Sequence, residues 1–214
     1  RGVAAGGVHG GAPARVVSER IFLASTNAGK RAEFAALLAA HGLELAPAIE
    51  YPEVEENAAD YLGNAALKAE ALHDELRRRG DAALVFADDS GLEIDALGGA
   101  PGIRSARYGG PELTWPQRRA LMLAELAAVP DPFRSARFQC ALVGIDADGN
   151  RYDGIGETRG HILAQERGDG GFGYDPLFLP EGERRSFAEM SAAEKARTSH
   201  RARALDAFVA ALRR

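Results

Sequence analysis

Five apolar residues in a row, Ala83-Leu84-Val85-Phe86-Ala87, run directly into Asp88-Asp89-Ser90-Gly91. An uninterrupted run of this length predicts a short strand buried on both faces, and the carboxylates place charge at its C-terminal end. Ligands of α/β sheets collect at such edges. Two adjacent carboxylates at the rim of a core repel one another, and a cation or a shared proton relieves that repulsion. A turn or a helix cap is the plainer reading of the same pair.

A second apolar run, Ile21-Phe22-Leu23-Ala24, leads into the polar loop Ser25-Thr26-Asn27-Ala28-Gly29-Lys30. Phe34, Leu37, Leu38 and His41 then recur at helical spacing, and Gly42 stands where a C-terminal cap belongs. The unit is strand, polar loop, helix. Its loop lacks the spacing of a Walker A motif, so it is a phosphate-loop candidate of another kind. A second helix is predicted between Asp60 and Arg79, with Tyr61, Ala65, Leu72 and Leu76 on one stripe. Lys68 falls inside that stripe, where it either snorkels past the edge of the core or points into a polar cavity.

Farther on, Gly98-Gly99-Ala100-Pro101-Gly102 reads as a turn cluster, and Leu121, Leu123 and Leu126 predict a helix ending before Pro130. Residues 136–145 and 151–158 read as a hairpin around Asp146-Ala147-Asp148-Gly149. The loop Gly170-Gly171-Phe172-Gly173-Tyr174-Asp175-Pro176 precedes the apolar Leu177-Phe178-Leu179. Ser191 and Glu194 fit a capping box, and Ala204, Leu205, Phe208, Val209 and Leu212 give the last helix one apolar face. His200 and Arg201 then lie in its first turn, where free backbone donors favour an anion.

The 214 residues, 46% hydrophobic and 27% charged, suffice for one large domain or two small lobes. Acidic residues outnumber basic ones, 31 to 26, and no basic block tracks a phosphodiester backbone, which argues against polymeric nucleic acid as a partner. No apolar run reaches the roughly 18 residues that cross a bilayer, so no membrane partner is expected. The single cysteine, Cys140, sits in an apolar run and reads as a buried thiol in a reducing, cytoplasmic setting. Residues 1–20 lack apolar periodicity and read as a disordered tail ahead of a folded domain over 21–214.

Three groups of side chains could carry chemistry. Glu53, Glu55 and Glu56 with Asp88 and Asp89 are hard oxygen donors of the kind that hold Mg²⁺ beside phosphates. Lys30, Lys68, Lys195, His200 and Arg201 could gather around a polyphosphate, although Lys195, in a polar run, reads as surface charge. In Phe172-Gly173-Tyr174-Asp175 the glycine admits close backbone approach to a planar ligand, the rings can cover it and the carboxylate can accept hydrogen bonds. A plain tight turn accounts for that loop almost as well.

In this order the segments resemble the inosine/xanthosine triphosphate pyrophosphatase family. The resemblance spans about residues 21–212 and rests on the Ser25–Lys30 loop, Asn64-Ala65-x-x-Lys68-Ala69, the run from Ala87 through Gly102, Ser105-Ala106-Arg107-Tyr108, Gly170 through Pro176, and Ser199-His200-Arg201. It implies an α/β fold with a mixed central sheet flanked by helices, and two lobes with a substrate cleft between them. It implies homodimers and Mg²⁺-dependent hydrolysis of ITP, dITP and XTP to the monophosphate and pyrophosphate, which clears deaminated purines from the nucleotide pool. By the same resemblance Ser25, Thr26, Asn27, Ala28, Gly29, Lys30, Lys68 and Ser90 bind the triphosphate. Glu56 and Asp89 hold the metal, with Asp89 also the general base. Phe172, Gly173, Tyr174, Asp175, Lys195, His200 and Arg201 form the nucleotide and base pocket. Two positions depart from the family pattern: Thr26 replaces a common glycine, and Gly63 a common acid, which weakens a metal-supporting role for that position and leaves Glu55 or Glu53 as the residues that could compensate. The competing expectations are a related pyrophosphatase for pyrimidine or methylated nucleotides and a nucleotide sensor without turnover.

Overall fold

The two apolar runs lie side by side. In the structure, a computed structural model describing residues 20–214, β1 (Arg20–Leu23) pairs in parallel with β3 (Leu84–Ile94), Ile21 opposite Leu84 and Leu23 opposite Phe86. The expected tail lies outside the described residues, apart from Arg20 at the start of β1. The remaining strands are β2 (Glu44–Leu45), β4 (Ser135–Ile145), β5 (Arg151–Ile162) and β6 (Phe178–Pro180), in the order β2-β1-β3-β4-β5-β6. The pairs on the β1–β2 and β1–β3 side are parallel and all those from β3 to β6 are antiparallel, so the sheet is mixed.

The helices are α1 (Ala28–Ala40), α2 (Tyr61–Arg78), α3 (Trp115–Glu125), the short α4 (Ala192–Lys195) and α5 (His200–Leu212). Strand alternation decides what each covers. Leu84 and Phe86 join Phe34 of α1 and Leu205 and Phe208 of α5 in one core, whereas Val85 and Ala87 join Ala65, Ala69 and Leu72 of α2 in a second. A third core gathers Leu92, Ile94, Phe138, Phe178 and Phe187 with Met122 of α3. The long strands β3 and β4 thus run through two lobes, and the expected α/β architecture is the one found.

Two glycines on β5 set how closely α5 approaches. A Cβ at Gly154 would lie 2.3 Å from the Ala204 carbonyl oxygen, and one at Gly156 2.3 Å from that of His200. The helix therefore packs directly on strand backbone. The hairpin turn is built as its sequence predicts, with Asp146 Oδ1 accepting from the backbone N–H groups of Asp148 and Asn150. Gly42, at φ 73°, follows the C-terminus of α1, as expected. Cys140 is buried, and desolvation pushes its thiol pKa well up. Among the described residues no helix is long and apolar enough to cross a membrane.

Candidate active site

The apolar strand does not end at the aspartates. β3 continues through Asp88, Asp89, Ser90 and Gly91 to Ile94, because antiparallel pairing with β4 persists, Asp88 opposite Leu142 and Asp89 opposite Ala141. On its other edge β3 outruns β1, whose last partner pair is Leu23 with Phe86. The open edge forms the floor of a cleft between the N-terminus of α1 and the 3₁₀ turn Gly102–Arg107.

Consecutive residues of a strand face opposite ways, so the nearest partners of Asp88 and Asp89 differ. The cations that stabilise the pair are the protein's own, since Lys30 and Lys68 act on both carboxylates. Asp88, fully buried, lies 2.9 Å from Lys30 Nζ and 3.7 Å from Arg201 Nε, and accepts from Ser90 Oγ at 3.1 Å. Burial alone would raise its pKa, but Lys30, Arg201 and Lys68 outweigh it and hold the carboxyl at about 2. Asp89 faces α2, where its Oδ2 accepts from Asn64 Nδ2 at 3.0 Å and its Oδ1 from the Ser90 N–H at 3.0 Å. Desolvation dominates there and raises the Asp89 pKa, with Lys68 opposing from 3.9 Å.

The Lys68 alternatives resolve in favour of the cavity. Its ammonium donates to Glu56 Oε1 at 2.7 Å, and three carboxylates keep its pKa up despite burial. Burial would raise Glu56, yet Lys68, Lys30 and Arg107 bring it below the usual value. Glu53 and Glu55 are exposed. Gly63 sits where Asp60 Oδ1 accepts its N–H at 2.7 Å, and a Cβ there would come within 2.6 Å of the Ala58 Cβ. A side chain at this position in the first turn of α2 would require Ala58 to move.

The phosphate-loop candidate is the entrance to α1. Asn27 caps the helix by accepting from the Lys30 N–H at 2.9 Å, while the Asn27 N–H donates to Ser25 Oγ at 3.2 Å. Ser25, Thr26, Ala28 and Gly29 all keep some exposure, and Thr26 has negative φ, so its branched side chain is compatible with the turn. The first N–H groups of α1 are thereby left near Lys30, an arrangement suited to an anion.

Across the cleft, Asp175 Oδ2 accepts from the Phe172 N–H and from Lys195 Nζ, each at 2.8 Å. Lys195 is buried, 5.0 Å from the Phe172 ring centre and 5.3 Å from that of Phe187, which overturns its reading as surface charge. Gly173 adopts φ 65°, a conformation that favours glycine, and Arg119 fixes its carbonyl oxygen at 2.9 Å. Tyr174 donates to the Ser105 carbonyl at 3.0 Å. Arg201 reaches Glu33 at 3.1 Å and Ser90 Oγ at 2.9 Å, and lies 4.9 Å over Phe172. His200 stacks on Phe138 at 4.7 Å, and among the described residues neither ring nitrogen has a hydrogen-bond partner.

These elements enclose a cavity of about 100 Å³ lined by Lys30, Glu56, Asp89, Phe172 and Arg201, together with Trp115, the single tryptophan. Phe172 is also a wall of a second cavity of about 270 Å³, which Glu33, Phe187, Met190 and Lys195 help to line. A larger groove of about 570 Å³ at the far end of β4 to β6 mixes Asp95, Arg137, Arg159 and Glu183 and contains none of the predicted site residues. The candidate site is distinguished by the convergence of charges and not by size. Sequence reasoning missed Arg107, Asn64 and Glu33 as site residues. Asn64 had a signal, since it lies four residues before Lys68 on the same helical face; Trp115 had none.

Residues 21–211 match the sequence profile of the Ham1 family. The chain belongs to the Ham1 family. Its relatives include the dITP/XTP pyrophosphatase of Opitutus terrae, 44% identical over 86% of this chain and 94% of that one. The dITP/XTP pyrophosphatase of Geobacillus kaustophilus is 45% identical over 87% and 91%. Among solved structures, a HAM1 protein from Coxiella burnetii superposes with a TM-score of 0.77 at 35% identity, covering 90% of this chain and 98% of that one.

One consequence for this Ham1-family chain concerns acid stability. Burial, reinforced by Arg201, Lys195 and Lys30, depresses the His200 pKa well below 6.5. The folded state therefore stays neutral while the unfolded chain takes up a proton below about pH 6.5, and the native state loses stability as pH falls, by up to about 1.4 kcal/mol per pH unit for one proton. Urea unfolding of wild type and His200→Gln between pH 7.5 and 5 should show a shallower slope in the variant. Equal slopes would mean that His200 is protonated in the fold.

Proposed function

We propose that this chain hydrolyses deamination-derived purine nucleoside triphosphates, ITP, dITP and XTP, to the monophosphate and pyrophosphate. The observation that carries the reading is the meeting, at the open edge of β3, of Glu56 and Asp89 with the N-terminus of α1 and the cations Lys30, Lys68 and Arg201. The names of the relatives support it. Two hard carboxylates on either side of Lys68 fit a divalent ion that completes its shell from phosphate oxygens and water, so Glu56 and Asp89 would hold Mg²⁺. When bound, Mg²⁺ supplies charge neutralisation at the phosphates.

Asp89, its proton affinity raised by burial, accepts a proton from the attacking water. The water oxygen bonds to the α-phosphorus as the bond from that phosphorus to the α–β bridging oxygen breaks. Pyrophosphate leaves held by Lys30, Lys68 and the first N–H groups of α1, with Ser25, Thr26, Asn27, Ala28, Gly29 and Ser90 around it. Positioning and charge dominate, as is general for transfer at phosphorus. The purine lies against Phe172 beside Gly173, Tyr174, Asp175 and Lys195, and His200 and Arg201 present donors to its 6-oxo group. Neutral imidazole carries one N–H, and a 6-amino purine would meet it with hydrogens of its own. The enzyme works in the cytoplasm as a homodimer.

The test is pyrophosphate release from ITP, XTP, GTP and ATP with and without Mg²⁺, orthophosphate being detected separately. Metal-dependent pyrophosphate release is expected, with kcat/KM for ITP over ATP on the order of 10² or more. A ratio near one, or orthophosphate without pyrophosphate, would overturn the proposal.

A further inference from the structure

Both carboxylate oxygens of Glu56 are occupied by cations of the protein itself. Lys68 donates to Oε1 at 2.7 Å, and Arg107 approaches Oε2 at 3.4 Å while its Nη2 donates to the Glu56 carbonyl at 3.1 Å. Glu56 comes from residues 46–60, which form no helix or strand, whereas Arg107 ends the 3₁₀ turn on the opposite rim. Their contact therefore crosses the mouth of the cleft. Behind it the cavity holds only about 100 Å³, well short of the roughly 300–1,000 Å³ usual for small-molecule sites.

Arg107 is also built differently from the other cations of the site. Lys195 and Arg201 are buried and Lys30 and Lys68 nearly so, whereas the Arg107 side chain is 43% exposed. Its charge is held to Glu56 through a long side-chain contact and one carbonyl oxygen, so little stands in the way of a better anion. A guanidinium presents a planar fork that matches phosphate oxygens more closely than it matches a carbonyl and one distant carboxylate oxygen.

We propose that Arg107 is a further triphosphate-binding residue that is parked on Glu56 until the nucleotide arrives. The incoming phosphates take the guanidinium, the mouth of the cleft opens, and Glu56 is released to a divalent cation that enters together with the substrate. In the free protein Arg107 competes with that cation for Glu56. The inference rests on the triphosphate reading above.

Two binding measurements on intact protein test it. Trp115 lines the cavity and is the only tryptophan, so its fluorescence reports ITP binding in EDTA, without turnover. Electron paramagnetic resonance of Mn²⁺ reports binding of the metal alone. Arg107→Ala is expected to weaken ITP about tenfold, the scale of one charge-assisted hydrogen bond, and to tighten Mn²⁺ about threefold, the scale of one exposed ion pair. Arg107→Lys, which keeps the charge and loses the fork, should fall between. The proposal is overturned if Arg107→Ala binds ITP as tightly as wild type, or if it binds Mn²⁺ no tighter than wild type does. Lys30→Met separates the two levels: if that variant also keeps full ITP affinity, the triphosphate reading itself fails, whereas if it loses affinity and Arg107→Ala does not, only the role of Arg107 falls.

Discussion

Asp89→Asn is expected to lower kcat for ITP by about 10² to 10⁴, the usual range for removal of a general base, while leaving the fold intact. Asparagine has nearly the same volume, and its amide oxygen keeps one of the two hydrogen bonds that the Asp89 oxygens accept, from Asn64 Nδ2 and from the Ser90 N–H, each at 3.0 Å. What disappears is the carboxylate whose proton affinity is raised by burial and which stands beside Lys68. Loss of a metal contact would deepen the effect. ITP should still quench Trp115, because the phosphate-binding cations are untouched. A variant that keeps more than about a tenth of wild-type kcat would remove Asp89 from its assigned role, since such a loss is smaller than the general-base range.

The largest expected effect on stability lies away from the chemistry, at Gly156→Val. A Cβ at this position would meet the His200 carbonyl oxygen at 2.3 Å and the Ala204 nitrogen at 2.4 Å, both backbone atoms of α5. Backbone cannot rotate aside as a side chain does, so β5 and α5 must separate. Overpacking of this kind costs about 1–3 kcal/mol and sometimes more, and we expect the upper end. The same movement displaces His200 and Arg201 at the start of α5, so KM for ITP should rise along with the loss of stability. Ile155→Val, one residue away on the exposed face, serves as the control and should stay within about 0.5 kcal/mol of wild type. Urea unfolding of the two variants checks the pair. A Gly156→Val protein as stable as wild type would mean that α5 does not sit on the strand as described.

Much of the frame was legible beforehand because it rests on local periodicity. The strand, loop and helix from Ile21 to Gly42, the apolar stripe of α2, the hairpin turn at Asp146 and the capped α5 all follow from patterns within a dozen or so residues. Lys68 was visible as an anomaly on its stripe for the same reason. The resemblance to a known family then put the dispersed motifs into one site, which periodicity alone could not do.

The misread positions share a cause. Asp88 and Asp89 look like the end of a strand because charge is costly inside a sheet, yet β3 carries them in its middle since Lys30, Arg201, Lys68 and Asn64 arrive from other elements to compensate. Lys195 reads as surface charge because its neighbours are polar, yet Asp175, twenty residues earlier, and the Phe172 and Phe187 rings bury it.

The sequence by itself determined the elements, the helix caps and the inventory of carboxylates, cations and aromatic rings, since each depends on residues close together along the chain. Only the tertiary structure decided that the two neighbouring aspartates serve opposite faces, that β1 stops short and leaves the edge of β3 open, and that Arg107 reaches across to Glu56. Those outcomes depend on which distant groups meet in space, because the free energy of a buried charge is set by its partners, and its partners are supplied by the fold.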